Sequence, residues 1–218
     1  MEVGMELTTH HLVVHQGKTP VLKNLSFSLP AGHSLVIRGT NGCGKTTLLR
    51  SLLGLLPVSH GEIRLNHMII GSPEWLKIRH KMAWVPQEGI LHRFPISALE
   101  VVTIGTAGRK LRAKHRKDIV FSALESVEAL HLQQRCYHRL SGGERQRISL
   151  ARCLAQGAEI LLLDEPGTGL DQESRHRLSN LLLQLNKQGV SLLAVTHDQE
   201  LFSNQSWETR VLKEGQLC

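Results

Sequence analysis

Residues 34–54 read SLVIRGTNGCGKTTLLRSLLG. The first five form a short apolar run that reads as a buried strand. From Lys45 onward Leu48, Leu49, Leu52 and Leu53 recur at helical spacing. Between strand and helix lies GTNGCGKTT (39–47), which fits G-x-x-x-x-G-K-[ST] through Gly39, Gly44, Lys45 and Thr46. The glycines let backbone N–H groups turn inward around an oxygen cluster with no Cβ in the way. The helix N-terminus adds its partial positive charge. Lys45 is placed to reach β- and γ-phosphates, and the Thr46 hydroxyl to ligate Mg²⁺. The whole loop, Gly39, Thr40, Asn41, Gly42, Cys43, Gly44, Lys45, Thr46 and Thr47, is expected to hold a nucleotide.

The pattern extends outward. ILLLD (160–164) and VSLLAVT (190–196) are two further apolar strand candidates, and between them Leu178, Leu181, Leu182 and Leu185 fall on one helical face. Strands apolar on both sides, alternating with helices, predict a parallel α/β sheet. The N-terminal third differs: ELTTHHLVV, VLKNLSFSLP and GEIRLNHMII read as antiparallel strands with short turns. Residues 90–145 read as mostly helical. The expected architecture is a single α/β domain over 1–218. In it, 1–89 and 146–218 form a mostly parallel core with an antiparallel β flank, and 90–145 form an inserted helical subdomain.

Composition narrows the class. The 218 residues are 41% hydrophobic and 21% charged, as in ordinary globular chains. No apolar run approaches the ~18 residues of a membrane span. The start MEVGMELTTHH has neither a basic n-region nor an apolar h-region, so no signal peptide is expected. Four cysteines without C-x-x-C spacing argue against a disulfide framework or zinc knuckle and suit a reducing compartment. The 13 histidines are dispersed apart from His10–His11, without metal-ligand spacing. The formal net charge is +7, much of it in RKLRAKHRK (109–117), read as a solvated helix face near a membrane.

A phosphate cradle needs a metal anchor and a group to activate water. Asp164 ends an apolar strand, where open α/β sheets bind ligands, and its carboxylate is placed to hold Mg²⁺. Glu165 follows it and can accept a proton from an attacking water.

LSGGE (140–144) places two glycines at the mouth of a helix, although glycine weakens helices. One reading is a cap, with Ser141 as N-cap and Glu144 at the third position. With the cradle and the acid pair, however, nearly all of the chain resembles the nucleotide-binding subunit of an ABC transporter, and LSGGE is similar to that family's signature motif. The resemblance implies two subunits packed head to tail. Each ATP would lie between the cradle of one and Ser141, Gly142 and Gly143 of the other, whose amides meet the γ-phosphate. It also implies that Gln87 in WVPQ (84–87) touches Mg²⁺ or its water, and that Gln87 links the site to a membrane partner. His197 in AVTHD (194–198) would hydrogen-bond the γ-phosphate, and Asp171 in GTGLD (167–171) would shape the dimer seam. The catalytic set so implied is Glu165, His197, Lys45 and Gln87, with Thr46, Gln87 and Asp164 around Mg²⁺. Two positions depart from the family. His15 stands where an aromatic ring, often tyrosine, usually stacks on adenine, and Gly167 stands where threonine or serine is common.

The resemblance further implies an ATPase on the cytoplasmic face of a membrane. Its partners would be an integral membrane permease, a second nucleotide-binding subunit (a homodimer being expected) and, indirectly, a solute-binding protein. FPI…EVV…G, within WVPQEGILHRFPISALEVVTIG (84–105), resembles ATPases of zinc, manganese and iron importers. Another transport system, for a different solute or for export, is the alternative. A nucleic-acid ABC ATPase usually carries two cassettes or long coiled-coil insertions. Neither is present, so nucleic acid is not an expected partner. A non-catalytic module is disfavoured because every catalytic position is filled.

Overall fold

A computed structural model describes residues 4–87, 95–198, 200–203 and 207–218. Its elements in chain order are β1 (Leu7–Gln16), β2 (Thr19–Leu29), β3 (Ser34–Arg38), α1 (Lys45–Leu52), β4 (His60–Leu65), β5 (Met68–Ile69), α2 (Pro73–Ile78), β6 (Met82–Val85), α3 (Ala98–Ile104), α4 (Ala113–Ser126), α5 (Gly142–Gln156), β7 (Ile160–Asp164), α6 (Gln172–Lys187), β8 (Ser191–Thr196), β9 (Glu208–Lys213) and β10 (Gln216–Leu217). One sheet has the order β10-β9-β3-β8-β7-β6, parallel throughout except for the β9–β10 hairpin. A second, antiparallel sheet has the order β2-β1-β4-β5. This is the mostly parallel core sheet with an antiparallel flank that the sequence predicts, and the flank lies in the N-terminal third as expected.

Alternation along the central strands explains why they are apolar on both faces. Leu35, Ile37, Ile160, Leu162, Leu193 and Val195 face a core shared with α1 and the antiparallel sheet. Val36, Leu161, Leu163, Leu192 and Ala194 face the core formed with the helices on the other side. Successive Cβ atoms point to opposite faces, so a strand covered on both sides reads as a continuous apolar run.

Register positions the site. Arg38 pairs with Thr196 in the parallel β3–β8 ladder, and Asp164 pairs with Val195 in the β7–β8 ladder. The C-terminal ends of β3, β7 and β8 therefore lie side by side, and the loops leaving them meet at one edge of the sheet.

The helices start where the sequence supplies caps. Ser97 opens α3 in a capping box with Glu100, Ser141 opens α5 in another with Glu144, and Asp171 accepts from the Ser174 N–H to open α6. Arg109, at the head of the basic run, donates to the Ala155 carbonyl near the C-terminus of α5. Helix α5 spans residues 142–156, so one helix joins the helical layer to the sheet.

Gly105, just past α3, packs directly against the backbone of α5. A Cβ there would stand 2.2 Å from the Arg152 carbonyl oxygen. Because that neighbour is helix backbone and cannot swing aside, Gly105→Ala is expected to destabilise the chain by about 1–3 kcal/mol, as overpacked sites do. Urea unfolding monitored by circular dichroism checks this, and an unchanged midpoint would contradict it.

Candidate nucleotide site

The loop between β3 and α1 wraps the mouth of α1, with Gly44 at φ 108°, a conformation open to glycine and strained for other residues. A Cβ on Gly44 would stand 2.9 Å from Leu22 Cδ2 and 3.2 Å from Val21 Cγ1, so the loop rests on the β1–β2 hairpin. A cavity of about 280 Å³ opens over it. It is lined by the loop residues Asn41, Gly42, Gly44, Lys45, Thr46 and Thr47, together with Gln87, Glu165, Gln16 and Val21.

Lys45 is buried and fully engaged. Its ammonium donates to the Gly39 carbonyl at 2.7 Å and the Thr40 carbonyl at 3.0 Å, and lies 3.1 Å from Glu165 Oε1. Glu165 Oε2 accepts from Thr196 Oγ1 at 3.1 Å and from the His197 backbone N–H at 3.1 Å. His197 Nδ1 lies 2.8 Å from the same oxygen. A carboxylate only accepts, so Nδ1 carries the proton of that contact and Nε2 points away from Glu165. Oε1 has the Lys45 charge beside it and no aligned hydrogen-bond donor.

Two opposing influences set the charge on Glu165. Burial is the largest and pushes its pKa up. The hydrogen bonds from His197 and the Lys45 contact together outweigh it and hold the carboxyl below the usual glutamate range. Asp164 behaves oppositely: burial pushes its pKa up, and the Thr46 hydroxyl, 3.4 Å from Oδ1, only partly offsets this. Glu165 also holds a left-handed backbone, φ 48°, which costs a non-glycine residue about 1–3 kcal/mol. Its amide donates to the Val195 carbonyl and its carbonyl accepts from the Thr168 N–H, so the strained residue is pinned on both sides.

The donors suit Mg²⁺. Thr46 and Asp164 offer a hydroxyl and a buried carboxylate as neighbouring hard oxygens, the set by which Mg²⁺ is held together with substrate phosphates. Among the described residues no three His, Cys, Asp or Glu side chains cluster as an all-protein metal cage.

The other positions expected from sequence divide into four groups. Cys43 turns inward: its Sγ lies 2.5 Å from where a Cβ on Gly39 would sit, and it packs against the apolar cluster under the loop. Ser141 and Gly143 line a separate cavity of about 140 Å³ with Leu170, Ser174 and Arg177. Gly142 and Gln87 line a third cleft of about 420 Å³, between the start of α5 and the loop carrying Thr168 and Gly169. Within one chain the signature serine therefore does not meet the phosphate loop. His15 does not line the cavity over the loop; its neighbour Gln16 does.

Several contributors have no clear sequence signal. Thr196 ends an apolar strand, yet its hydroxyl bridges the Asp198 N–H and Glu165. Gly167 makes room for the loop that follows β8, since a Cβ there would stand 3.2 Å from both Asp198 Oδ2 and Leu201 Cδ2. Arg175 on α6 lies 3.7 Å from that Asp198 carboxylate, tying the loop after β8 to the helix that Asp171 caps.

The sequence model of the family described as "ABC transporter" matches residues 22–168. A hemin import ATP-binding protein, HmuV, of Hahella chejuensis is 37% identical over 204 residues, covering 90% of this chain and 79% of the relative. A phosphonates import ATP-binding protein, PhnC, of Trichormus variabilis is 36% identical over 208 residues, 91% and 84% of the two chains. A manganese transport system ATP-binding protein, MntB, of Bacillus subtilis is 36% identical over 193 residues, 86% and 75%. Among solved structures, cbiO1 of Clostridium perfringens, part of the ABC transporter complex cbiONQ, superposes with a TM-score of 0.89 at 29% identity, covering 97% of this chain and 86% of that one. The chain belongs to the ABC transporter family and is its ATP-binding subunit, an ATPase whose hydrolysis is coupled to transport. Among the described residues no helix is long and apolar enough to cross a membrane.

Proposed function

We propose that this chain is the ATP-hydrolysing subunit of an importer whose cargo is a metal ion or metal complex. It would work as a head-to-tail homodimer beneath an integral membrane permease, on the cytoplasmic face, fed by a solute-binding protein. The observation that carries the catalytic part is the convergence of Lys45, Thr196 and the exposed His197 on the one buried carboxylate of Glu165 beside the phosphate loop.

The chemistry follows from those atoms. Loop amides and the α1 N-terminus receive the β- and γ-phosphates of ATP. Lys45 exchanges Glu165 for the γ-phosphate. Glu165 Oε1, freed of its ion pair and without a hydrogen-bond donor, takes the proton of a water aimed at phosphorus. His197 holds Oε2 and fixes the direction of the carboxylate. Mg²⁺, when bound by Thr46, Asp164 and Gln87, neutralises phosphate charge. Ser141 and Gly143 of a second copy, which face a different cavity from their own loop, would close over the γ-phosphate. ATP then holds the two copies together and its hydrolysis releases them, moving the permease.

The metal assignment is supported by the sequence FPI…EVV…G within 84–105 and by the manganese and hemin relatives; the phosphonates relative is as similar. The test is ATPase activity of the chain reconstituted with its permease and binding protein, challenged with Mn²⁺, Zn²⁺, iron, hemin and a phosphonate. Stimulation by a metal or hemin is expected. Stimulation by phosphonate alone overturns the cargo assignment, and no hydrolysis with all partners present overturns the catalytic one.

A further inference from the structure

We infer that the nucleobase in this site is met by Gln16 and Val21 rather than by an aromatic ring, so that the enzyme reads the triphosphate and binds other nucleoside triphosphates nearly as well as ATP. This deepens the site assignment of the preceding subsection and rests on it.

The hairpin geometry selects these residues. Gln16 ends β1 and pairs with Thr19 across the turn. One step in, His15 pairs with Pro20 while Val14 pairs with Leu22, leaving Val21 as the extra residue of a bulge in β2. Bulges re-aim side chains, and here Val21 Cγ1 comes to lie against Gly44, at the lip of the phosphate loop. Side chains alternate along β1. Val14 is buried in the core, so Gln16 shares its face and His15 points to the opposite one. The cavity wall agrees, since it contains Gln16 and Val21 and lacks His15.

No ring compensates among the described residues. The chain has three Trp, one Tyr and four Phe. Trp75, Tyr137, Phe27 and Phe202 are buried in the cores, Trp207 stacks on Phe202, Trp84 packs against the core beside α1, and Phe121 lies under Lys117 on α4. Phe94 lies outside the described residues.

Base–aromatic stacking is the term that would favour a bound purine, and this wall does not supply it. A Gln amide offers both a donor and an acceptor and can present either by turning over. At an exposed hairpin end it can answer the edge of adenine or of guanine. What remains for affinity is the triphosphate, which is the same in every nucleotide.

The measurement is displacement of radiolabelled ATP from the purified full-length chain, with Mg²⁺, by unlabelled ATP, GTP, CTP and UTP. All four are expected to compete within about fivefold of one another. Gln16→Tyr is expected to tighten ATP by about 5- to 150-fold, the range of one base–ring stack. His15→Tyr, on the other face, is expected to bring no such gain. A wild-type preference for ATP of about thirtyfold or more over GTP and UTP, or a gain from His15→Tyr in place of Gln16→Tyr, overturns the inference. Should Gln16→Tyr fail to fold, the wild-type competition alone decides. Absence of binding by any triphosphate overturns the site assignment as well, whereas tight, ATP-selective binding overturns only this inference.

Discussion

In steady-state assays Glu165→Gln is expected to slow ATP hydrolysis by about 10²–10⁴-fold, the usual cost of losing a general base, while ATP binding persists and tightens. The two effects share one cause. The Glu165 carboxylate stands 3.1 Å from the Lys45 ammonium, in competition with an incoming γ-phosphate. An amide carries no charge to hold Lys45, so the phosphate meets a less encumbered cation. The same amide cannot accept a proton from water, so the bound triphosphate persists. The substitution is nearly isosteric, and its carbonyl can still accept from Thr196 and the His197 N–H, so the strained backbone at φ 48° keeps its ties. Phosphate release, equilibrium ATP binding and size-exclusion chromatography with ATP separate the consequences: slow turnover, tighter binding and a lasting dimer. A wild-type rate would remove Glu165 from the base role. Slow turnover with weakened binding would instead show that Glu165 supports the loop rather than competing with the phosphate.

Much of this arrangement was legible in the chain because its key residues sit at the ends of apolar runs. SLVIR and ILLLD match β3 and β7 residue for residue, and the loop and acid pair follow directly from them. The helix expected over 45–54 stops at Leu52, and the strand expected from Val190 starts at Ser191. Other elements left little trace. β6 is four residues long, and its second half falls in a motif read for its glutamine. β9 buries only Leu212 fully, so its sequence shows neither an apolar run nor clear alternation. Contacts that depend on register were illegible for a different reason. A one-residue slip turns a side chain to the other face of a sheet. Alternation from the buried Val14 puts Gln16, and not His15, on the cavity's face, and the bulge in β2 adds Val21 beside it. The Lys45–Glu165 pair joins two loops far apart in sequence, and the parallel pairing of β3, β8 and β7 alone brings them together.

Lys45→Ala should have the other large effect, and its pH dependence makes it diagnostic. Deleting one partner of a buried charge contact costs a complex about 2–5 kcal/mol, so ATP affinity is expected to fall roughly 30-fold or more. The substitution also acts on the fold itself. Glu165 is 6% exposed and loses its counter-charge. The cost stays below the ~3–5 kcal/mol typical of a broken buried ion pair, because Thr196 and His197 still hold Oε2. In the wild type the folded pKa of Glu165 lies below its ordinary value of 4.5, so the ionised group stabilises the fold above that value, and this contribution disappears as pH falls through the folded pKa. Without Lys45 the burial term has less opposing it and the folded pKa moves up, which shrinks that contribution. The variant is therefore expected to trail the wild type in urea unfolding at neutral pH and to converge with it as the pH falls through the carboxylate range and Glu165 is protonated in both. A deficit that stays constant across that range would mean that Lys45 supports the loop through its bonds to the Gly39 and Thr40 carbonyls alone, with no electrostatic part in holding Glu165.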